Sequence, residues 1–245
     1  MKIKVVAITG ADDSINPSDL ITISKEFPYV EWAILLSKNQ VGSHRFPSKK
    51  WMEELVSLLE SAQQPIKLAG HLCGSWLRQL MDIGDISFVD QIPLWPYLSR
   101  IQLNFHAKPT ILTLPALEAL RNFTWKYKKK FIVQLDGINN ELCEQLVFAG
   151  VDASGLFDTS HGSGASPEKW PEVIPFIDKH AYKGYAGGLG PDNLQEELFK
   201  IQSAVGDDLI WIDMETKIRS NDEFDLDKVR KCLNIAYDFV LQDHC

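Results

Sequence analysis

The chain has 245 residues, enough for one large domain with a substantial buried core, and its 45% hydrophobic and 24% charged residues exclude a disordered polymer. Its 25 lysines and arginines against 33 aspartates and glutamates leave a formal charge of −8, and the longest basic run is Lys128-Lys129-Lys130. Nucleic-acid binding needs clustered cations to neutralise phosphates, so that class of partner is excluded, and no apolar stretch approaches the roughly 18 residues of a bilayer span.

The first residues, Met1-Lys2-Ile3-Lys4-Val5-Val6, lack the long apolar run and small-residue cleavage site of an export signal and read as a strand. That strand candidate, Ile3–Thr9, is followed by a second at Glu31–Leu36. After Pro47-Ser48, Trp51, Leu55, Leu58, Leu59 and Ala62 recur at the spacing of one helical face. The third strand candidate is Ile66–His71. Asp82–Ser99, with Pro93, Trp95 and Pro96, is the least regular stretch and reads as an insertion containing one extra turn. Further strand candidates are Arg100–Phe105, Phe131–Leu135 and Ser154–Asp158. Ser166-Pro167-Glu168 then offers an N-cap, a first-turn proline and a first-turn acid, the start of a helix. Tyr182–Ala186 is the seventh strand candidate. Pro191 opens a helix with the stripe Leu194, Leu198 and Ile201, Leu209–Met214 is the eighth strand, and Leu226, Val229, Leu233, Ala236 and Val240 mark the last helix.

Most of these strand candidates are apolar at successive positions, as parallel strands covered by helices are. Eight strand–helix units in a chain of this length fit a single α/β domain over 1–245, a (β/α)8 TIM barrel. An open doubly wound sheet is disfavoured, because the first turn, Thr9-Gly10-Ala11-Asp12-Asp13, is no GxGxxG and no GxxxxGK[ST] occurs. The cysteines, Cys73, Cys143, Cys232 and Cys245, show neither a CxxC pair nor metal-finger spacing, so reduced thiols in a cytoplasmic protein are expected.

A barrel of this kind carries its chemistry where strands end. The polar residues at those places are Thr9, Ser37, His71, Asn104, Asp136, Asp158, Asp213 and Glu215. Two glycine clusters join them, Gly162-Ser163-Gly164 and Gly187-Gly188-Leu189-Gly190. Glycine admits backbone N–H groups close to an anion, so the pair fits a phosphate cradle as well as two tight turns.

Several segments in this order resemble phosphoribosylanthranilate isomerase. Leu156-Phe157-Asp158-Thr159 with Gly162-Ser163-Gly164 and Trp170 is similar to the family's strand-six aspartate, GxG loop and tryptophan. Ala186-Gly187-Gly188-Leu189-Gly190-Pro191-Asp192-Asn193 resembles its GGL-x-P-x-N signature, and Ile212-Asp213 its V-D. Earlier, Ile8-Thr9-Gly10 stands where the family has I-C-G, Arg45-Phe46-Pro47-Ser48 resembles R-x-[IV]-S-P, and Ile101-Gln102-Leu103 resembles V-Q-L.

The family moves an aldose phosphate to a ketose through a general acid at the ring oxygen and a general base at C2. The resemblance implies Asp158 as the acid, which then has to be shielded from water to act near neutral pH. The base position is Thr9, whose hydroxyl has no thiolate-like state. His71 and Cys73, in Ala69-Gly70-His71-Leu72-Cys73-Gly74, are the nearest substitutes, and Asp136 is another. By the same resemblance Arg45 and Asp213 hold the rest of a small phosphorylated sugar, and the strand-end residues Asn104 and Asp136 are expected to join them. Gly162, Ser163, Gly164, Gly187, Gly188, Thr216 and Lys217 hold its phosphate. Two elements depart from the family: Glu215-Thr216-Lys217 replaces its S-S-G turn, and Ala165 its lysine.

No cofactor or metal is expected on this reading. Alternatives left open are a lyase, an aldolase, an epimerase whose metal is ringed by Asp136, Asp158, Asp213, Glu215 and His71, and a binding protein without catalysis.

Overall fold

Strands that are apolar on both faces need cover on both faces, and here closure into a barrel covers one and a ring of helices the other. The computed structural model describes residues 1–61, 65–105, 111–158, 160, 164–171 and 183–241. Its strands are β1 (Lys2–Thr9), β2 (Val30–Leu36), β3 (Lys67–Leu72), β4 (Arg100–Leu103), β5 (Lys130–Leu135), β6 (Ala153–Phe157), β7 (Lys183–Tyr185) and β8 (Leu209–Met214). Each pairs in parallel with the next and β8 pairs with β1, so the sheet is a closed eight-stranded barrel. All eight predicted strands form, each within two residues of its expected bounds.

The helices among the described residues are α1 (Pro17–Glu26), α2 (Lys49–Ser61), α3 (Gly74–Ile83), α4 (Leu114–Tyr127), α5 (Asn140–Phe148), α6 (Leu194–Val205) and α7 (Leu226–Ala236). None is long and apolar enough to cross a membrane. The Asn16 side chain caps α1 by accepting from Ser18 N–H at 2.9 Å, with Pro17 at the first helical position.

Three helix expectations are corrected. The helix expected to open at Pro191 begins at Leu194, because Asn193 folds back to accept from Gly190 N–H at 3.0 Å and spends those residues on a turn. Val240 leaves the last helix and bridges Ile3. Ser166–Glu168 starts no helix within the described residues: the Ser166 hydroxyl that would cap it donates instead to Gly188 C=O at 3.2 Å. Residues 172–182 lie outside the described residues, as do Ala62, Tyr182 and Cys245.

The irregular stretch holds two 3-10 turns rather than one, Ser87–Gln91 and Trp95–Tyr97. It joins α3 to β4 and so lies at the strand N-termini, opposite the end where function is expected. Phe88 stacks on Trp76 at 6.1 Å and meets Trp95 edge-on at 5.6 Å, and Lys129 Nζ donates to Trp95 C=O at 2.8 Å and to Leu98 C=O.

Most of the core lies between strands and helices, but a second cluster (Val5, Ala7, Ile132, Leu156, Ala186 and Trp211) fills the barrel itself. Trp211 is paired in register with Gly184, and a Cβ built on Gly184 would stand 2.2 Å from its ring. Below the upper rim, Arg100 and Glu31 are buried together, Nε lying 3.0 and 3.1 Å from the two carboxylate oxygens. The guanidinium also lies over Trp211, 4.7 Å from the ring centroid.

Because Trp211 occupies the volume over Gly184, Gly184→Ala is expected to cost on the order of 1–3 kcal/mol through overpacking. Adding Trp211→Phe should restore much of that loss. Urea unfolding midpoints check this, and an unchanged midpoint for the single variant would refute the close fit.

Candidate active site at the strand C-termini

The C-terminal ends of the strands surround a cavity of about 430 Å³. Its polar floor is set by the last inward-facing residues of four strands, since side chains alternate in direction along a strand. These are His71 on β3, Gln102 on β4, Gln134 on β5 and Asp213 on β8. The walls come from the loops that follow: Arg45 and Phe46 after β2, Asp158, Ser160 and Gly164 after β6, Ala186–Leu189 after β7, and Glu215–Lys217 after β8.

Asp213 is the most protected carboxyl of the site. It is 8% exposed, and its Oδ1 accepts from the Thr9 hydroxyl at 2.6 Å. Its Oδ2 stands 3.9 Å from His71 Nε2. Burial, reinforced by Glu215 and Asp158, pushes Asp213 up to about 7, against the opposing pull of Thr9 and Arg100. Burial and the Arg100 charge hold His71 down to about 3. Burial thus weighs against the charged form of each partner in the His71–Asp213 contact.

Asp158 is only half-buried, so the shielding expected of it belongs to Asp213 instead. One Asp158 oxygen accepts from Ser160 N–H at 2.9 Å and Ser160 Oγ at 2.6 Å, the other from Gln134 Nε2 at 3.1 Å. Thr9 is fully buried and reaches the cavity through Asp213. Cys73 is a thiol, pushed up to about 12 by burial, and Asn104 donates to its sulfur at 3.4 Å. Asp136 stands outside the cavity, where its carboxylate accepts from Ile138 N–H at 2.9 Å and Asn139 N–H at 3.1 Å and shapes the loop after β5.

Arg45 reaches the rim but is already occupied. Nη1 lies 2.9 Å from Glu215, and Nη2 and Nε lie 2.9 and 3.0 Å from Asp222. Its backbone N–H donates to Asp12 at 2.6 Å, and Asp12 also receives Arg219 at 2.6 Å. Lys217, the other cation of the lining, forms no ion pair among the described residues.

Of the two glycine clusters, Gly162 and Ser163 lie outside the described residues, as does Thr159. Gly164 packs on Thr216, and the segment 164–166 lies directly on Gly188. A Cβ at Gly188 would meet Ser166 N at 2.4 Å and Gly164 O at 2.7 Å, and its φ of +63° is a second reason for glycine. Gly188 C=O accepts from Asn193 Nδ2 at 2.9 Å, which ties both loops to the start of α6.

Sequence reasoning passed over Gln102 and Gln134 as site residues. The signal was present in Arg100-Ile101-Gln102 and Gln134, where polar residues stand at inward positions of otherwise apolar strands. Among the described residues no group of three or more His, Cys, Asp or Glu side chains is placed to hold a metal ion.

Fold and site together define a (β/α)8 barrel of the TIM class with a pocket at its C-terminal face that is lined by Asp158, Asp213 and Glu215. The chain is similar in structure to N-(5'-phosphoribosyl)anthranilate isomerase from Pyrococcus furiosus, at 12% identity and a TM-score of 0.54, over 96% of this chain and 98% of that one. It is also similar to the YdjI aldolase from Escherichia coli K12, at 12% identity and a TM-score of 0.51, over 96% and 88%. At such identities the likeness establishes the barrel and nothing finer. No family model and no curated protein sequence matches the chain.

Asp213 makes stability depend on pH in a predictable direction. Its folded value of about 7 lies above its ordinary 3.8, so the folded state holds the proton more tightly, and the stability this supplies below pH 3.8 is lost as pH rises through 7. His71, lowered from 6.5 to about 3, acts in the opposite sense, its neutral burial costing less as pH rises from about 3 to 6.5. Asp213→Asn removes the first contribution alone. Relative to wild type it should gain stability between pH 4 and 7, by about 1.4 kcal/mol per pH unit. Urea titrations at several pH values measure this, and a pH-independent difference would contradict the burial of a titrating carboxyl.

Proposed function

We propose that the chain is an acid–base barrel enzyme, an aldose–ketose isomerase acting on a small phosphorylated sugar derivative. The observation that carries the reading is the buried Asp213 carboxyl, held between Thr9 and His71 and facing the cavity. An aldose–ketose rearrangement needs one group to protonate the ring oxygen as the C1–O bond opens, and another to take the proton from C2. The first task falls to Asp158, half-buried on the cavity wall after β6, where a bound substrate would supply the rest of the cover that a general acid needs. Asp213 adjoins Thr9, the position where the resembling family has its base, and is suited to the second because a carboxyl titrating near pH 7 is partly ionised while still a competent base.

In this scheme the Thr9 hydroxyl fixes the Asp213 carboxylate by its hydrogen bond, which accounts for a residue that could not abstract the proton itself. Asp213 takes the proton from C2 and returns it to C1 of the enol, while the enol hydroxyl gives up its own proton through solvent to Asp158, so both carboxyl groups end as they began; neutral His71, 3.9 Å from Asp213, adjoins the base without taking its proton. The phosphate goes to Lys217 and the Thr216 hydroxyl, beside Gly164 and Gly187-Gly188. A Schiff-base aldolase or lyase is less supported, since Lys183, the lysine on β7, lies outside the cavity lining and is paired with Asp208 at 3.0 Å.

Exchange of the C2 hydrogen in heavy water, followed by proton NMR over a panel of aldose 5- and 6-phosphates, tests the reading without knowledge of the natural product. Wild type should catalyse exchange on at least one member, with a rate that rises as pH passes through about 7. Asp213→Asn and Asp158→Asn should each lower it by roughly 100-fold or more. Binding without exchange in wild type would instead favour a non-catalytic phosphosugar-binding protein.

A further inference from the structure

The Arg45 side of the cavity bears on which substrate can enter, an inference that rests on the phosphosugar reading above. Arg45 is the cation a ligand's carboxylate would seek at this rim, yet the protein supplies that carboxylate itself. Glu215 takes Nη1 at 2.9 Å from the cavity side, and Asp222 takes Nε and Nη2 at 3.0 and 2.9 Å from the solvent side. The arrangement is pinned by the backbone, since Arg45 N–H donates to Asp12 and Asp12 is held by the buried Arg219 guanidinium. Asp12, Glu215 and Asp222 thus face two guanidiniums, those of Arg45 and Arg219, leaving the rim net negative.

A second anion on the substrate would have to displace Glu215 from Arg45. The released carboxylate would then stand in a pocket that already holds Asp158 and Asp213, a like-charge cost that a new pair with Arg45 merely offsets. An uncharged group or an amine meets no such penalty, and its N–H or O–H can donate to Glu215. Away from Arg45, where its side chain lies against Gly190 after β7, Lys217 remains without an ion pair among the described residues, enough for one anionic group.

We infer that the site takes a phosphorylated sugar derivative whose phosphate is its single anionic group, and that Glu215, by occupying Arg45, excludes substrates carrying a carboxylate at the opposite end.

Two stable probes that differ by one carboxylate test this: the N-phenyl and the N-(2-carboxyphenyl) derivatives of 1-amino-1-deoxyribitol 5-phosphate, titrated calorimetrically. Wild type should bind the N-phenyl probe at least about tenfold more tightly. Glu215→Gln should erase or reverse that preference by freeing one edge of Arg45, and Asp222→Asn, at the exposed edge, should narrow it. Equal or tighter binding of the carboxylated probe to wild type would overturn the inference while leaving the phosphosugar reading intact. A preference unchanged in Glu215→Gln would also overturn it, by removing Glu215 as its cause. Failure of both probes to bind wild type at millimolar concentration would reject the phosphosugar reading, and this inference with it.

Discussion

A guanidinium can be kept inside a barrel only if a carboxylate is kept there with it, and that requirement on Arg100 organises the rest of this interior. Glu31 meets it from β2, two strands away, and Trp211 covers the guanidinium with its ring. Trp211 in turn fits only because Gly184 offers no side chain at the paired position. The lower barrel is therefore a packed polar unit in which one charge dictates three partners. Its influence extends upward, because the same positive charge opposes protonation of His71 and favours the ionised form of Asp213. The site's titration behaviour is thus partly a consequence of how the barrel is filled beneath it.

That dependence explains which features were legible before the structure was known. The strands announced themselves because burial on both faces leaves runs such as Val30–Leu36 with few polar interruptions. The interruptions themselves carried the information that periodicity alone did not extract. Glu31, Arg100, Gln102 and Gln134 stand at inward positions, yet nothing in the order of residues tells that Glu31 and Arg100 meet across 69 positions of chain. Helix starts were less legible wherever a side chain had a competing partner: Ser166 and Asn193 both have capping chemistry, and both spend it on Gly188 and Gly190. The site was legible as a set of strand ends, which placed His71, Asp158 and Asp213 at the cavity, but not as a set of partners.

Arg45 and the glycines show the same limit from the side of motifs. A motif records residue types at spacings, and residue types are compatible with opposite roles. Arg45 can hold a ligand's carboxylate or be silenced by Glu215 and Asp222, and only the distances distinguish the two. Gly188 could face an anion, but its hydrogen position is already closed by the backbone of residues 164–166, so close packing of two loops suffices to require glycine there. A glycine pattern of this kind is therefore satisfied by loop packing alone, whatever charges surround it.

The remaining question is why Asp213 should rest near neutrality rather than far above it. Burial of a lone carboxyl, with Glu215 and Asp158 nearby, would by itself favour the protonated form strongly enough to remove it as a base at pH 7. Two groups resist that drift, the Thr9 hydroxyl through a direct hydrogen bond and Arg100 through the field below. Neither can act on substrate from where it stands, since Thr9 is covered by Asp213 and Arg100 is committed to Glu31. Both act on the carboxyl rather than past it, so the hydrogen bond from Thr9 and the field of Arg100 together set how readily Asp213 gives up its proton.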